Sequence, residues 1–141
     1  MIVLVDTPVW SLALRRKPEH LNPLEQRLIE TLAELVREGR VQLLGPVRQE
    51  LLSGIREEAQ FRRLRDYFRA FPEHALEAQD YEEAAHMNNR CRVRGVAGSA
   101  VDFLICAAAQ RRGWMILTTD RNFWNYASVL ALRLYAGSGA G

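Results

Sequence analysis

The sequence predicts an α/β fold with a mostly parallel sheet, in a single domain. Three observations carry this. The runs Ile2–Val5 and Trp114–Thr118 are largely apolar without alternation, as strands covered on both faces are. Between them lie segments of helical periodicity, clearest in Pro23–Glu38, so strands and helices alternate along the chain. The 141 residues, 48% hydrophobic and 26% charged, suit one ordinary globular domain. A chain of this length buries about 70% of its unfolded surface and needs no disulfide or structural metal to fold.

In chain order, strand Ile2–Val5 meets Asp6 and Thr7; Thr7 is a fitting N-cap and Pro8 a fitting first helical residue, so a helix is expected over Pro8–Leu14. Polar Arg15–Leu21 reads as a loop. Pro23–Glu38 places Leu24, Leu28, Leu32, Leu35 and Val36 on one face and stops at Gly39. Val41–Leu44 is a second strand, and Gly45-Pro46 starts a helix reaching about Ile55. Glu58–Ala70 is helical with Phe61, Leu64 and Phe68 on one side. After a turn near Pro72, Asp80–Arg92 forms another helix. Gly95–Gly98 is a flexible loop. Ser99–Arg112 is a strongly apolar helix closed by Gly113. Trp114–Thr118 is the third strand, Asn122–Ala127 a short helix, and Leu130–Tyr135 a last strand. The domain is expected to span residues 1–136, and Gly137–Gly141 to form a flexible tail.

Composition narrows function only broadly. The apolar N-terminus is short, lacks a basic flank and runs into Asp6, so it does not read as a signal peptide, and no run is long enough to span a bilayer. Cys91 and Cys106 have neither metal-like spacing nor the number expected of a disulfide framework, which suits a reduced, cytoplasmic protein. Net charge is +2, too small to argue for nucleic acid. Lys17 is the only lysine, and all other cationic side chains are arginine. Arginine's planar fork suits phosphate, but a GC-rich genome produces the same bias.

The acidic residues say more. Of five aspartates, Asp6, Asp102 and Asp120 sit in or beside apolar segments, and Glu50 is flanked by Leu51 and Leu52. Charged groups are rarely buried without a partner. Asp6 and Asp120 follow strands, and ligands of open parallel sheets bind at the carboxyl ends of strands. If the helices starting near Pro46 and Ser99 begin at that edge, four carboxylates converge. Their mutual repulsion is relieved by a hard divalent cation such as Mg²⁺, which keeps several waters and needs few protein ligands. Each residue also has a local alternative. Ser99 and Asp102 match a capping box, Asp120 can cap the helix from Asn122, Asp6 can close an Asx-turn, and Glu50, at the start of its helix, can be a solvated first-turn glutamate.

The chain resembles the PIN-domain family, specifically VapC-type toxin ribonucleases. The resemblance spans nearly the whole length and rests on four blocks: Val5-Asp6-Thr7, Glu50 within Pro46–Leu51, Asp102 within Asp102–Ala109, and Asp120 within Leu117–Phe123. It implies a three-layer α/β/α sandwich. It implies a Mg²⁺ or Mn²⁺ site made by Asp6, Glu50, Asp102 and Asp120, with Thr7 and Asn122 in support, and endonucleolytic cleavage of RNA by metal-assisted hydrolysis. It further implies a homodimer neutralised by a small antitoxin. Two departures stand out: Asn122 occupies a position where the family often has aspartate, and Pro8 one where it favours serine.

Arg121 and the cluster Arg90, Arg92 and Arg94 are candidate RNA contacts, because basic side chains displace counterions from a phosphate backbone; a solvated helix end explains the cluster as well. The arginines of Glu58–Ala70 could support a partner or dimer surface, although its apolar stripe also reads as core. Phosphatases of the haloacid-dehalogenase type would need an aspartate where Pro8 stands, and receiver domains a lysine near the last strand; neither fits. An RNA-processing nuclease without an antitoxin, or a non-catalytic RNA- or partner-binding relative, is the alternative within the family.

Overall fold

The computed structural model describes residues 1–15 and 17–135, the side chain of Arg15 apart. The expected tail 137–141 lies outside the described residues. Three strands, β1 (Val3–Val5), β2 (Val41–Gln42) and β3 (Met115–Leu117), form a wholly parallel sheet in the order β2-β1-β3. Seven helices surround it among the described residues: α1 (Thr7–Arg15), α2 (Pro23–Arg37), α3 (Gly45–Leu52), α4 (Glu58–Arg69), α5 (Ala78–Val93), α6 (Ala100–Arg112) and α7 (Asn122–Ala127). This is the expected three-layer α/β/α architecture. α1 packs on α2 and α3, and α3 on α4; α5 and α6 pack together, with α6 also against β3. All of β1 is fully buried, which explains its lack of polar alternation.

The helix boundaries follow local chemistry. Asn22 caps α2 through a reciprocal box with Glu25, and Pro23 takes the first turn, where its missing N–H costs nothing. Leu28, Leu32 and Leu35 enter the core, whereas Leu24, expected on the same face, is 63% exposed because it precedes the part of α2 that meets the core. Gly113 ends α6 at φ 72°, the left-handed cap that the sequence anticipated.

Several expectations need correction. Thr7 is the first residue of α1, and Asp6 takes the capping position, its carbonyl accepting from Val9 and Trp10 N–H. The expected loop 15–21 contains a 3₁₀ turn at Pro18–His20, which proline initiates. The helix expected to reach Ile55 stops at Leu52, where Ser53 turns extended. This places Glu50 in the last turn of α3 rather than at its start. Val41–Leu44 pairs regularly only over two residues, with Leu43 making a single parallel bridge to Glu73. Leu130–Tyr135 is not a strand: only Leu134 bridges, to Ile116, and Leu130 is held by burial instead of a ladder. No helix among the described residues is long and apolar enough to cross a membrane.

Candidate metal centre

The parallel register sets the site. Val5 pairs with Leu117, so the chain leaves both strands side by side, and Asp6 N–H donates to the Leu117 carbonyl at 2.9 Å. Asp6, only 4% exposed, receives two hydrogen bonds: Thr7 N–H to Oδ1 at 2.8 Å and Thr118 Oγ1–H to Oδ2 at 2.7 Å. Thr118 Oγ1 in turn accepts Asp120 N–H at 3.0 Å. On the other side Thr7 Oγ1 donates to Glu50 Oε2 at 3.1 Å. A continuous chain of hydrogen bonds thus runs Glu50–Thr7–Asp6–Thr118–Asp120 along the carboxyl edge of the sheet. Asp102, in the first turn of α6, completes the group; its Oδ2 accepts the Tyr126 hydroxyl at 2.6 Å.

Asp6, Asp102, Asp120 and Glu50 lie close enough for their charges to act on one another. Burial pushes the Asp6 carboxyl up to about 6; the bonds from Thr118 and Thr7 oppose that rise, and the charges of Asp102 and Asp120 add to it. Asp102 is also raised, first by burial and then by Asp120 and Glu50, against the lowering effect of Tyr126. The Tyr126 hydroxyl is raised by burial and by its bond to Asp102, so it stays protonated as a donor. Arg40, Arg48, Arg62, Arg65, Arg69, Arg111 and Arg112 pair with acidic residues outside this group.

The local roles anticipated for these residues are present too. Ser99 Oγ accepts Asp102 N–H at 3.1 Å, and Asp120 Oδ1 accepts Asn122 N–H at 3.0 Å. Capping and convergence coexist, because each cap uses one oxygen of its carboxylate or only its backbone N–H. Asn122 and Arg121 are exposed beside Asp120. Arg90, Arg92 and Arg94 are exposed at the end of α5, with Arg90 reaching the Val129 carbonyl at 3.4 Å; no hydrogen bond or ion pair joins these three to the carboxylates. Of the tryptophans, Trp10 is core, packed on Phe68 and Phe71.

The donor set is entirely hard oxygen, which suits Mg²⁺ or Mn²⁺. No three His, Cys, Asp or Glu side chains among the described residues are grouped closely enough to enclose an ion unaided. That is compatible with a hydrated dication, which one or two carboxylates hold while waters fill the remaining positions. A cleft of about 420 Å³ opens beside Thr7 and Glu50, with Ser11, Pro46, Gln49, Ser53 and Val101 on its walls.

Thr118 and Tyr126 are the site members that the sequence did not reveal. Thr118 follows an apolar strand, and its bond to Asp6 spans 112 residues, so nothing in the neighbouring sequence announces it. Its importance can be measured. Thr118→Val keeps the shape but leaves Asp6 Oδ2 and Asp120 N–H without their shared partner, which should cost about 1–3 kcal/mol in urea unfolding and move the Asp6 carboxyl further up in an NMR titration. An unchanged unfolding midpoint would contradict the bridging role.

A family model described as PIN domain matches residues 3–129. No curated protein matches the chain by sequence. Among solved structures, the chain is similar to VapBC2 from Rickettsia felis bound to a DNA fragment from their promoter, with TM-score 0.75 and 16% identity over 96% of this chain and 98% of that one. It is similar to FitAcB from Neisseria gonorrhoeae, with TM-score 0.72 and 19% identity over 96% and 98%. A structure of FitAB bound to an IR36 DNA fragment matches with TM-score 0.72 and 18% identity over 95% and 94%. At these identities the likeness to solved structures is one of fold.

Proposed function

This chain belongs to the PIN-domain family, and from that premise we propose that it is a divalent-metal-dependent endoribonuclease, the toxin of a VapC-type toxin–antitoxin pair. The observation that carries the reading is the meeting of Asp6, Glu50, Asp102 and Asp120, from four separate segments, in one electrostatic field. Maintaining mutually repelling carboxylates costs stability, so their convergence needs a ligand that offsets it.

Asp6 and Asp102 are the residues proposed to hold Mg²⁺ or Mn²⁺. Glu50, steadied by Thr7, contributes from the rim, and Asp120 through water or to a second ion, with Asn122 offering a neutral oxygen. When bound, such an ion supplies Lewis acidity toward water and toward the phosphate oxygens. The starts of α1 and α6 lie at the same edge, and their dipoles favour both the carboxylates and an incoming phosphate. Arg121, with Arg90, Arg92 and Arg94, is proposed to follow the RNA backbone. A small antitoxin and a second copy of the chain are the proposed protein partners, and the cytoplasm the proposed location.

Purified protein should cleave RNA in Mg²⁺ or Mn²⁺ and stop in EDTA. Asp102→Asn should lower the rate by more than the roughly 10–100-fold typical of residues that only support a metal ligand. Expression of the unmodified chain should arrest growth, and expression of Asp102→Asn should not. Cleavage that persists in EDTA, or equal turnover by Asp102→Asn, would contradict the reading.

A further inference from the structure

Tyr126 lies in α7, 24 residues beyond Asp102, yet its hydroxyl meets Asp102 Oδ2 at 2.6 Å, a short charge-assisted bond. We propose that Tyr126 is a positioning residue: it holds one oxygen of Asp102 so that the other is presented to a divalent cation. This rests on the metal-centre reading above.

Three features of the structure support it. First, the ring cannot swing. Tyr126 is fully buried, 5.0 Å from the Phe103 ring and 5.2 Å from the Phe123 ring, centroid to centroid. Second, the backbone has been cleared to admit the hydroxyl. A Cβ at Gly98 would overlap the Tyr126 Oη and stand 2.7 Å from two ring carbons, closer than side chains pack. A buried hydroxyl costs stability unless bonded, and Asp102 is the acceptor recorded for this one. Third, Asp102 is fixed from its backbone as well. Ser99 Oγ accepts its N–H, while Oδ1 accepts no hydrogen bond among the described residues. Tyr126, Gly98 and Ser99 therefore leave one Asp102 oxygen as the available donor and remove its freedom to rotate away.

The test is calorimetric titration with Mn²⁺ alone on the whole protein and on Tyr126→Phe, Gly98→Ala and Asp102→Asn, with melting curves to establish folding. Tyr126→Phe should bind Mn²⁺ on the order of 10-fold more weakly. Its kcat at limiting Mn²⁺ should fall while KM for RNA holds, and saturating Mn²⁺ should restore the rate. Gly98→Ala keeps the phenol but displaces it, and should weaken Mn²⁺ in the same way; it carries the test should Tyr126→Phe fail to fold. Folded variants that bind Mn²⁺ within about twofold of the unmodified protein would overturn the positioning role, since a purely structural tyrosine would change only the melting curve. If Asp102→Asn also binds Mn²⁺ as the unmodified protein does, the metal-centre reading itself fails, and the positioning role with it.

Discussion

Asp6→Asn is expected to abolish RNA cleavage while making the metal-free protein more stable, by up to about 3 kcal/mol at pH 8. The figure follows from a carboxyl raised from 3.8 to about 6, at about 1.4 kcal/mol per unit. The sign is opposite to that of a salt-bridged acid. Above pH 6 the buried charge is carried in full and its cost is complete. As pH falls through 6 the folded protein takes up a proton that the unfolded chain does not yet bind, and the cost shrinks. Below the unfolded value near 3.9 it is gone. The advantage of Asp6→Asn should therefore be largest at pH 8 and vanish toward pH 4. The amide Oδ1 can still accept from Thr7 N–H, and with the amide turned so that Nδ2 faces Thr118 the second contact is kept with its direction reversed, the hydroxyl turning its own proton aside. Adding Mn²⁺ should narrow or reverse the difference. A ligand at 100 times its Kd stabilises the unmodified protein by about 2.7 kcal/mol, and the variant that has lost the ligand gains much less. Urea unfolding at pH 8, 6 and 4, with and without Mn²⁺, measures all of this. A less stable Asp6→Asn at pH 8 without metal would mean that the carboxylate is structural.

The second large effect is at the opposite end of α6. Asp80 is fully buried and accepts from Arg111 at 2.6 Å, from Arg112 at 2.7 and 2.8 Å, and from Glu77 N–H at 2.7 Å. Arg112 also lies over the Trp114 ring, 5.5 Å from its centroid. The cluster ties the start of α5 to the end of α6. Asp80→Ala would leave Arg111 and Arg112 without their buried acceptor, with Glu77 still 3.6 Å from Arg112, and should cost about 3–5 kcal/mol, toward the lower end because Arg111 is partly solvated and Glu77 remains. The Arg112 hydrogen bond, foremost, holds the Asp80 carboxyl well below its usual range. Its contribution is thus fully present above the unfolded value near 3.9 and lost as pH falls toward the folded one, so the acid limb of stability should be shallower in Asp80→Ala. Arg112 lies ten residues from Asp102 along α6, about 15 Å by helix rise, so Mn²⁺ affinity should be unchanged. A loss under about 1 kcal/mol would place the cluster with ordinary surface ion pairs.

Much of this molecule could be read from its sequence because local and tertiary demands coincide there. Ile2–Val5 and Trp114–Thr118 are apolar because the sheet is covered on both faces, and Ser99 and Gly113 mark the ends of α6 by their own chemistry. The four carboxylates stood out because a charge among apolar neighbours conflicts with burial, and three of them follow or begin elements at one sheet edge. What escaped notice depends on partners distant in sequence. Thr118 meets Asp6 across 112 residues and Tyr126 meets Asp102 across 24; a hydroxyl in an apolar run looks like any core residue until its acceptor is known. Asp80 read as an ordinary helix start because its arginines lie more than thirty residues on. Leu130–Tyr135 has the alternation of a strand, but alternation reports which side chains face the core, not whether a neighbouring backbone offers a ladder.

The most direct measurement is anomalous diffraction from crystals of the protein soaked in Mn²⁺. A cation site formed by the carboxyl edge of the sheet predicts a strong peak contacting Asp6 and Asp102, with Glu50 or Asp120 reached directly or through water. No peak among these side chains at millimolar Mn²⁺, or a peak only at some other part of the surface, would contradict it.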